Sequence, residues 1–219
     1  MLMKNKLLIL IITLFLFNDL VFAKEFIFKT KNLEIIDNGK IIYGGKGKVV
    51  SADGDLEINA NKFEYDKELD ILKTFGEGLL LINSKNLKIN YNFLTIDQKN
   101  FLIKTNGNTK ILDKENNLII SSDSIIYDQK KFTVKSDTKS EIKDKFQNSY
   151  KVDNFFYEIN KNLLKVNNLD FKDNANNTLK TSLAYINTKT NRLFGKDVNV
   201  ELNNESFNKD NEPRLKGNS

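Results

Sequence analysis

Apolar and polar residues alternate along this chain in short runs, and the alternation slips out of step at regular intervals. Leu56, Ile58 and Ala60 are apolar with polar residues between them, after which the apolar set moves to Phe63 and Tyr65. Leu87, Ile89 and Tyr91 are followed by Leu94 and Ile96, and Leu118 and Ile120 by Ile125 and Tyr127. A period of two predicts strands with one buried face. A change of parity predicts a bulge or corner, because one slipped residue turns every later side chain to the other face. Each block therefore reads as strand, corner, strand. An acidic turn follows at Asp66-Lys67, Asp97-Gln98 and Asp128-Gln129, where the Asp side chain bonds its own backbone. A third strand comes next.

The blocks repeat. Gly45, Gly76 and Gly107 lie 31 residues apart, as do Leu56, Leu87 and Leu118, then Ile58, Ile89 and Ile120, then Asp66, Asp97 and Asp128. Weaker copies put Asn160 and Asn187 in the Asp place, and a partial first copy turns at Asp37-Asn38-Gly39. A fixed period means a stacked or wound architecture, and atypical end copies are expected to cap it. An antiparallel jelly roll and a parallel β-solenoid both fit the period. The Asp turns favour chain reversal, so the expected fold is all-β: an elongated antiparallel jelly roll, open at its ends. The recurring glycine marks a tight bend in it. The domain is expected over residues 24–204, with 205–219 a polar linker or tail.

The first residues carry a different pattern. Lys4 and Lys6 precede an apolar run, 7–17, in which only Thr13 is polar, and Val21-Phe22-Ala23 offers small residues at the −3 and −1 places. This is the form of a secretory signal peptide cleaved after Ala23, and the run is shorter than the ~20 residues of a spanning helix. The mature chain is expected in the periplasm or at the periplasmic face of the outer membrane.

Composition then removes most chemistry. The chain has no Cys and no His. Thiol nucleophiles, Ser-His-Asp triads and zinc or haem sites with His ligands are excluded. Asp66, Glu68 and Asp70 form an acidic cluster, but Asp66 fills a repeated turn place. Asp53-Gly54-Asp55 lacks the rest of a calcium loop, and Gly44-Gly45-Lys46-Gly47-Lys48 lacks nucleotide-binding spacing; both read as turns. No catalytic residue, metal site or cofactor is expected. Net charge is +5. Lys beside aromatic residues could stack on single-stranded nucleic acid, but an exported chain makes nucleic acid no expected partner.

The segment 53–78, DGDLEINANKFEYDKELDILKTFGEG, resembles the signature of the OstA-like family, periplasmic lipopolysaccharide-transport proteins of Gram-negative bacteria. The matching positions are Gly54, Ile58, Ala60, Tyr65-Asp66-Lys67, Leu69, Leu72 and Gly76. The resemblance extends over about residues 26–204, and the tail 211–217 is similar to the family's connection from jelly roll to outer-membrane barrel. It implies a non-enzymatic module that shields the acyl chains of lipid A between two sheets. Its expected partners are lipopolysaccharide, other jelly rolls joined edge strand to edge strand and, in a full-length member, the barrel with its lipoprotein. The chain stops at Ser219 with no barrel strands and lacks the cysteines some members pair, so a truncated assembly protein is expected, with a standalone carrier or a secreted β-solenoid structural or adhesin protein as the alternatives. By position and alternation, the lipid-binding interior falls on Ile58, Phe63, Tyr65, Ile89, Leu94, Ile96, Ile120, Ile125 and Tyr127. The resemblance places the partner edge at the N-terminal strands, at Phe26, Phe28, Leu33 and Ile35.

Overall fold

A computed structural model describes residues 26–203 and the backbone of 214–217. The leader, its cleavage point and residues 204–213 lie outside the described residues. Among the described residues nineteen strands follow one another. They are β1 (Phe26–Thr30), β2 (Leu33–Ile36), β3 (Ile41–Gly44), β4 (Gly47–Ser51), β5 (Leu56–Ala60) and β6 (Lys62–Asp66). Then come β7 (Ile71–Ile82), β8 (Leu87–Asp97), β9 (Leu102–Asp113), β10 (Leu118–Asp128), β11 (Thr133–Ser136), β12 (Ser140–Lys143) and β13 (Ser149–Val152). The last are β14 (Asn154–Glu158), β15 (Leu163–Lys172), β16 (Thr178–Asn187), β17 (Arg192–Lys196), β18 (Val198–Glu201) and β19 (Arg214–Gly217). No α-helix occurs among the described residues, only three short 3-10 turns.

Among the described residues every pairing is antiparallel, so the jelly-roll expectation holds and the parallel solenoid does not. The pairings trace two ladders. A front wall runs β2-β3-β6-β7-β8-β9-β10-β11-β14-β15-β16-β17. A back wall runs β1-β4-β5-β7-β8-β9-β10-β12-β13-β15-β16-β18-β19. The long strands β7, β8, β9, β10, β15 and β16 belong to both, each crossing from one wall to the other along a shared crease.

The crease is where the sequence changes parity. Register breaks fall between Phe75 and Gly78, between Asn90 and Phe93, and between Ser122 and Ser124. The 31-residue period is thus one out-and-back pair of long strands. The third strand expected in each block is the first half of another long strand, bent at its glycine. Gly76 and Gly107 hold φ of 82° and 75°, a region costly to a residue with a Cβ. Gly45 sits at the crossing from β3 to β4, so the glycine-rich segment around it is a corner between walls rather than a hairpin turn.

The turns close the strands at the two outer margins. Asp66, Asp97 and Asp128 each accept a backbone N–H three residues on, from Leu69, Asn100 and Lys131, at 2.8–3.0 Å. The chain leaves each of these turns through a residue with positive φ, namely Asp70, Phe101 and Phe132. The equivalent place in the next copy is Glu158, four residues before Asn162 with φ 52°, and not Asn160. The block after Asp128 is one residue shorter than the 31-residue period, which moves the turn ahead of Asn160. Stacked turns also bond one another: Gln98 donates to the Asp70 carbonyl, and Gln129 to that of Phe101. Within the segment expected to be a polar tail, Arg214–Gly217 pairs with β18 and extends the back wall. Its short sequence carries little alternation, so only the free edge of β18 reveals it.

Candidate functional site

The space between the walls is apolar along the length of the stack. All nine residues expected to line it are buried, with at most 6% of their surface exposed. Ile58, Ile89 and Ile120 stand on the back wall at equal 31-residue steps. Phe63, Tyr65, Leu94, Ile96, Ile125 and Tyr127 face them from the front wall. The same parity rule adds residues not singled out from the sequence: Val49, Leu80 and Ile142 at the back, Leu72, Val134 and Leu164 at the front. The core is packed side chain on side chain. None of the nine lines the surface grooves of about 840, 900 and 170 Å³ among the described residues.

At the N-terminal end the interior meets two free edges. Among the described residues β1 pairs only with β4 and β2 only with β3. The four residues expected on a partner edge divide. Phe26 and Phe28 turn inward, their rings 5.3 Å from Tyr65 and 6.3 Å from Phe63. Leu33 and Ile35, paired with Gly44 and the buried Ile42, also lie on the inner face, but at the open end of the wall they are half exposed. At the other end Phe194, on the free front edge β17, is the most exposed large apolar residue among the described residues.

Opposite the crease, the turns of the two walls meet in a polar seam. The Tyr157 hydroxyl on β14 donates to the Asp113 carboxylate at the end of β9, 3.0 Å away, and the Asn116 side chain bonds both. Asp113 is 1% exposed, so these bonds are what make its burial tolerable. Further along, Lys85 of a back turn lies 3.7 Å from the centre of the Phe132 ring of a front turn. It also donates to Asn160 at 3.1 Å. Burial, with Asp113 second, holds the Tyr157 hydroxyl well above the usual phenol range. Burial and then the charge of Asp55 do the same to Tyr127. Burial pushes Tyr91 up to about 12.

The crease has its own repeated chemistry. Asn61 and Asn92 pack on Gly76 and Gly107, 3.3 and 3.1 Å from where a Cβ would stand. Toward the C-terminal half, Ser122, Ser136, Thr138 and Ser140 bond one another at 2.8–3.0 Å. The crease thus carries amides toward the N-terminal half and hydroxyls toward the C-terminal half, beside the apolar side chains of the two walls. Neither the seam nor the Asn series was read from the sequence. Asn61 and Asn92 do repeat at 31 residues, and that spacing is their signal in the sequence. The seam joins residues tens of positions apart and leaves no local pattern.

The acidic cluster is structural. Asp66 closes its turn, Glu68 pairs with Lys40 at 2.7 Å, and Asp70 accepts the Tyr65 hydroxyl at 2.8 Å. Asp53 accepts Ser51 at 2.6 Å and organises a hairpin turn. Among the described residues no group of three or more acidic side chains is placed to hold a metal.

No protein-family model matches the chain, and no curated protein matches it. Among solved structures it is similar to LptH of Pseudomonas aeruginosa, a periplasmic component of the lipopolysaccharide transport device homologous to LptA. The identity is 11% and the TM-score 0.28, over 64% of this chain and 81% of that one. It is also similar to the TCP10 domain of Danio rerio CPAP, at 11% identity and TM-score 0.18, over 78% and 97%.

Proposed function

We propose that this protein is a periplasmic lipopolysaccharide-transport module. It takes the acyl chains of lipid A between its two walls and passes them along a path toward the outer membrane. The observation that carries the reading is the continuous apolar interior, bounded by strand edges free to pair. Each methylene moved from water into such an interior contributes about 0.8 kcal/mol. A lipid with several chains is therefore held without any covalent step, while its sugars and phosphates stay in water. The ends pass lipid onward by pairing edge strands with neighbouring jelly rolls, since an unpaired edge accepts another chain.

Loading requires the packed walls to part. The seam is the place for this, because it is closed by a few polar contacts, whereas the crease is crossed by six continuous strands. Two forms of the protein suit this role. The tail resembles the barrel connection of an LptD-like assembly protein, which makes the described residues its periplasmic domain. The pairing of Arg214–Gly217 back onto β18 favours the second form, a standalone LptA-like carrier. Titration calorimetry against lipopolysaccharide and its deacylated form tests the shared reading. Binding that is lost on deacylation supports it, and equal binding of both forms overturns it.

A further inference from the structure

Strand direction singles out β19. Leaving β19 aside, each wall contains twelve strands, beginning at β2 or β1 and ending at β17 or β18. Neighbours alternate in direction throughout. β17 runs away from the front turns and β2 runs toward them, so β2 of a second copy would continue the front wall in antiparallel order. β18 runs toward the back turns and β1 runs away from them, so β1 of that same copy would continue the back wall. Both joints are then in phase at once. The edges are also complementary: β2 is exposed along its length and carries Glu34, while β17 carries Arg192 and Lys196.

β19 occupies one of these two places. It pairs antiparallel with β18 from Val198–Gly217 to Glu201–Arg214 and runs in the direction β1 of a second copy would run. With β19 seated the back wall has a thirteenth strand and the front wall does not. A second copy would then have to place β1 parallel to β19 and out of step with the front joint.

We propose that β19 is a self-capping strand that imitates β1 of a following copy and must leave β18 before the C-terminal end can receive one. The proposal rests on the edge-docking reading above and adds its control. It places the switch in this chain's own C-terminal segment, so that end-to-end growth waits on strand exchange.

Sedimentation velocity of the purified protein over a range of concentrations tests it with two variants. Leu215→Pro/Lys216→Pro removes the donor of β19 toward β18 whichever of the two residues faces it. Val200→Cys/Leu215→Cys places a disulfide between directly paired residues of a chain with no other Cys, and so locks β19 reversibly. The proline variant is expected to associate end to end about tenfold more tightly than the natural chain, a change of about 1.4 kcal/mol. The oxidised lock stays a single copy, and reduction restores natural behaviour. Adding Ile35→Lys on β2 to the proline variant abolishes its association. Equal association of the proline variant and the oxidised lock leaves edge docking standing and overturns the cap. Association that survives Ile35→Lys places the joint elsewhere and also overturns it. No association in any variant overturns the edge-docking reading, and the cap with it. Unchanged circular dichroism of the sheet shows that each variant is folded.

Discussion

The Tyr157 hydroxyl donates to the Asp113 carboxylate at 3.0 Å, joining strands from opposite walls at the margin away from the crease. The two residues are 44 apart in sequence, and both are 1% exposed. Their bond, with the Lys85–Phe132 contact, closes the side of the sandwich that no strand crosses. The walls are therefore hinged on one side by continuous backbone and fastened on the other by side chains.

Tyr157→Phe leaves the Asp113 carboxylate one donor short inside the protein and is expected to destabilise it by about 1–3 kcal/mol. Lys85→Met removes a contact of about 0.5–1 kcal/mol. In denaturant unfolding the costs show separately. In hydrogen exchange both variants are expected to speed exchange at the seam turns while leaving the crease protected. On the transport reading both also accept lipopolysaccharide faster than the natural chain. Unchanged exchange at the turns would show that these contacts do not hold the seam.

Gly78 stands under the ring of Tyr91, and a Cβ there would come to 2.5 Å from two ring carbons and the hydroxyl oxygen. Gly78→Ala is expected to cost about 1–3 kcal/mol through overpacking. Trimming the ring in Gly78→Ala/Tyr91→Val restores part of the loss. A single variant as stable as the natural chain would show that the crease yields freely at this point.

Much of this arrangement is written in short-range pattern. The shift from Ala60 to Phe63, from Tyr91 to Leu94 and from Ile120 to Ile125 locates the crease, because a sandwich must turn each side chain inward on both walls. The period locates the turns at Asp66, Asp97 and Asp128. The seam is not legible in this way. Asp113 has the spacing of an ordinary turn residue, and nothing near it in sequence announces Tyr157. Which turn meets which is decided by how the walls are offset across the core, a long-range property. β19 is illegible for the opposite reason: four residues are too few for a period, and they become a strand only because β18 offers an unpaired edge.

Alkaline pH should find the buried phenols. Tyr91 is pushed up to about 12, and Tyr127, Tyr150 and Tyr157 are also raised, burial being the first cause in each. The folded protein holds these protons more tightly than the unfolded chain, in which phenols ionise near pH 10. Their contribution is therefore fully present below about pH 10 and is lost as pH rises through the folded values. Melting temperature is expected to fall steeply above about pH 10, with ultraviolet ionisation of these tyrosines appearing only as the protein unfolds. Full ionisation near pH 10 in a still-folded chain would show that they are not enclosed.

The central claim is that acyl chains enter between the walls. It is tested most directly by placing a photoreactive side chain at Ile89 or Ile120, buried on the back wall, and at Lys88 beside them on the outer face, then irradiating with lipopolysaccharide present. The account predicts covalent capture from Ile89 and Ile120 and little from Lys88. Capture from Lys88 with none from either interior position would contradict it.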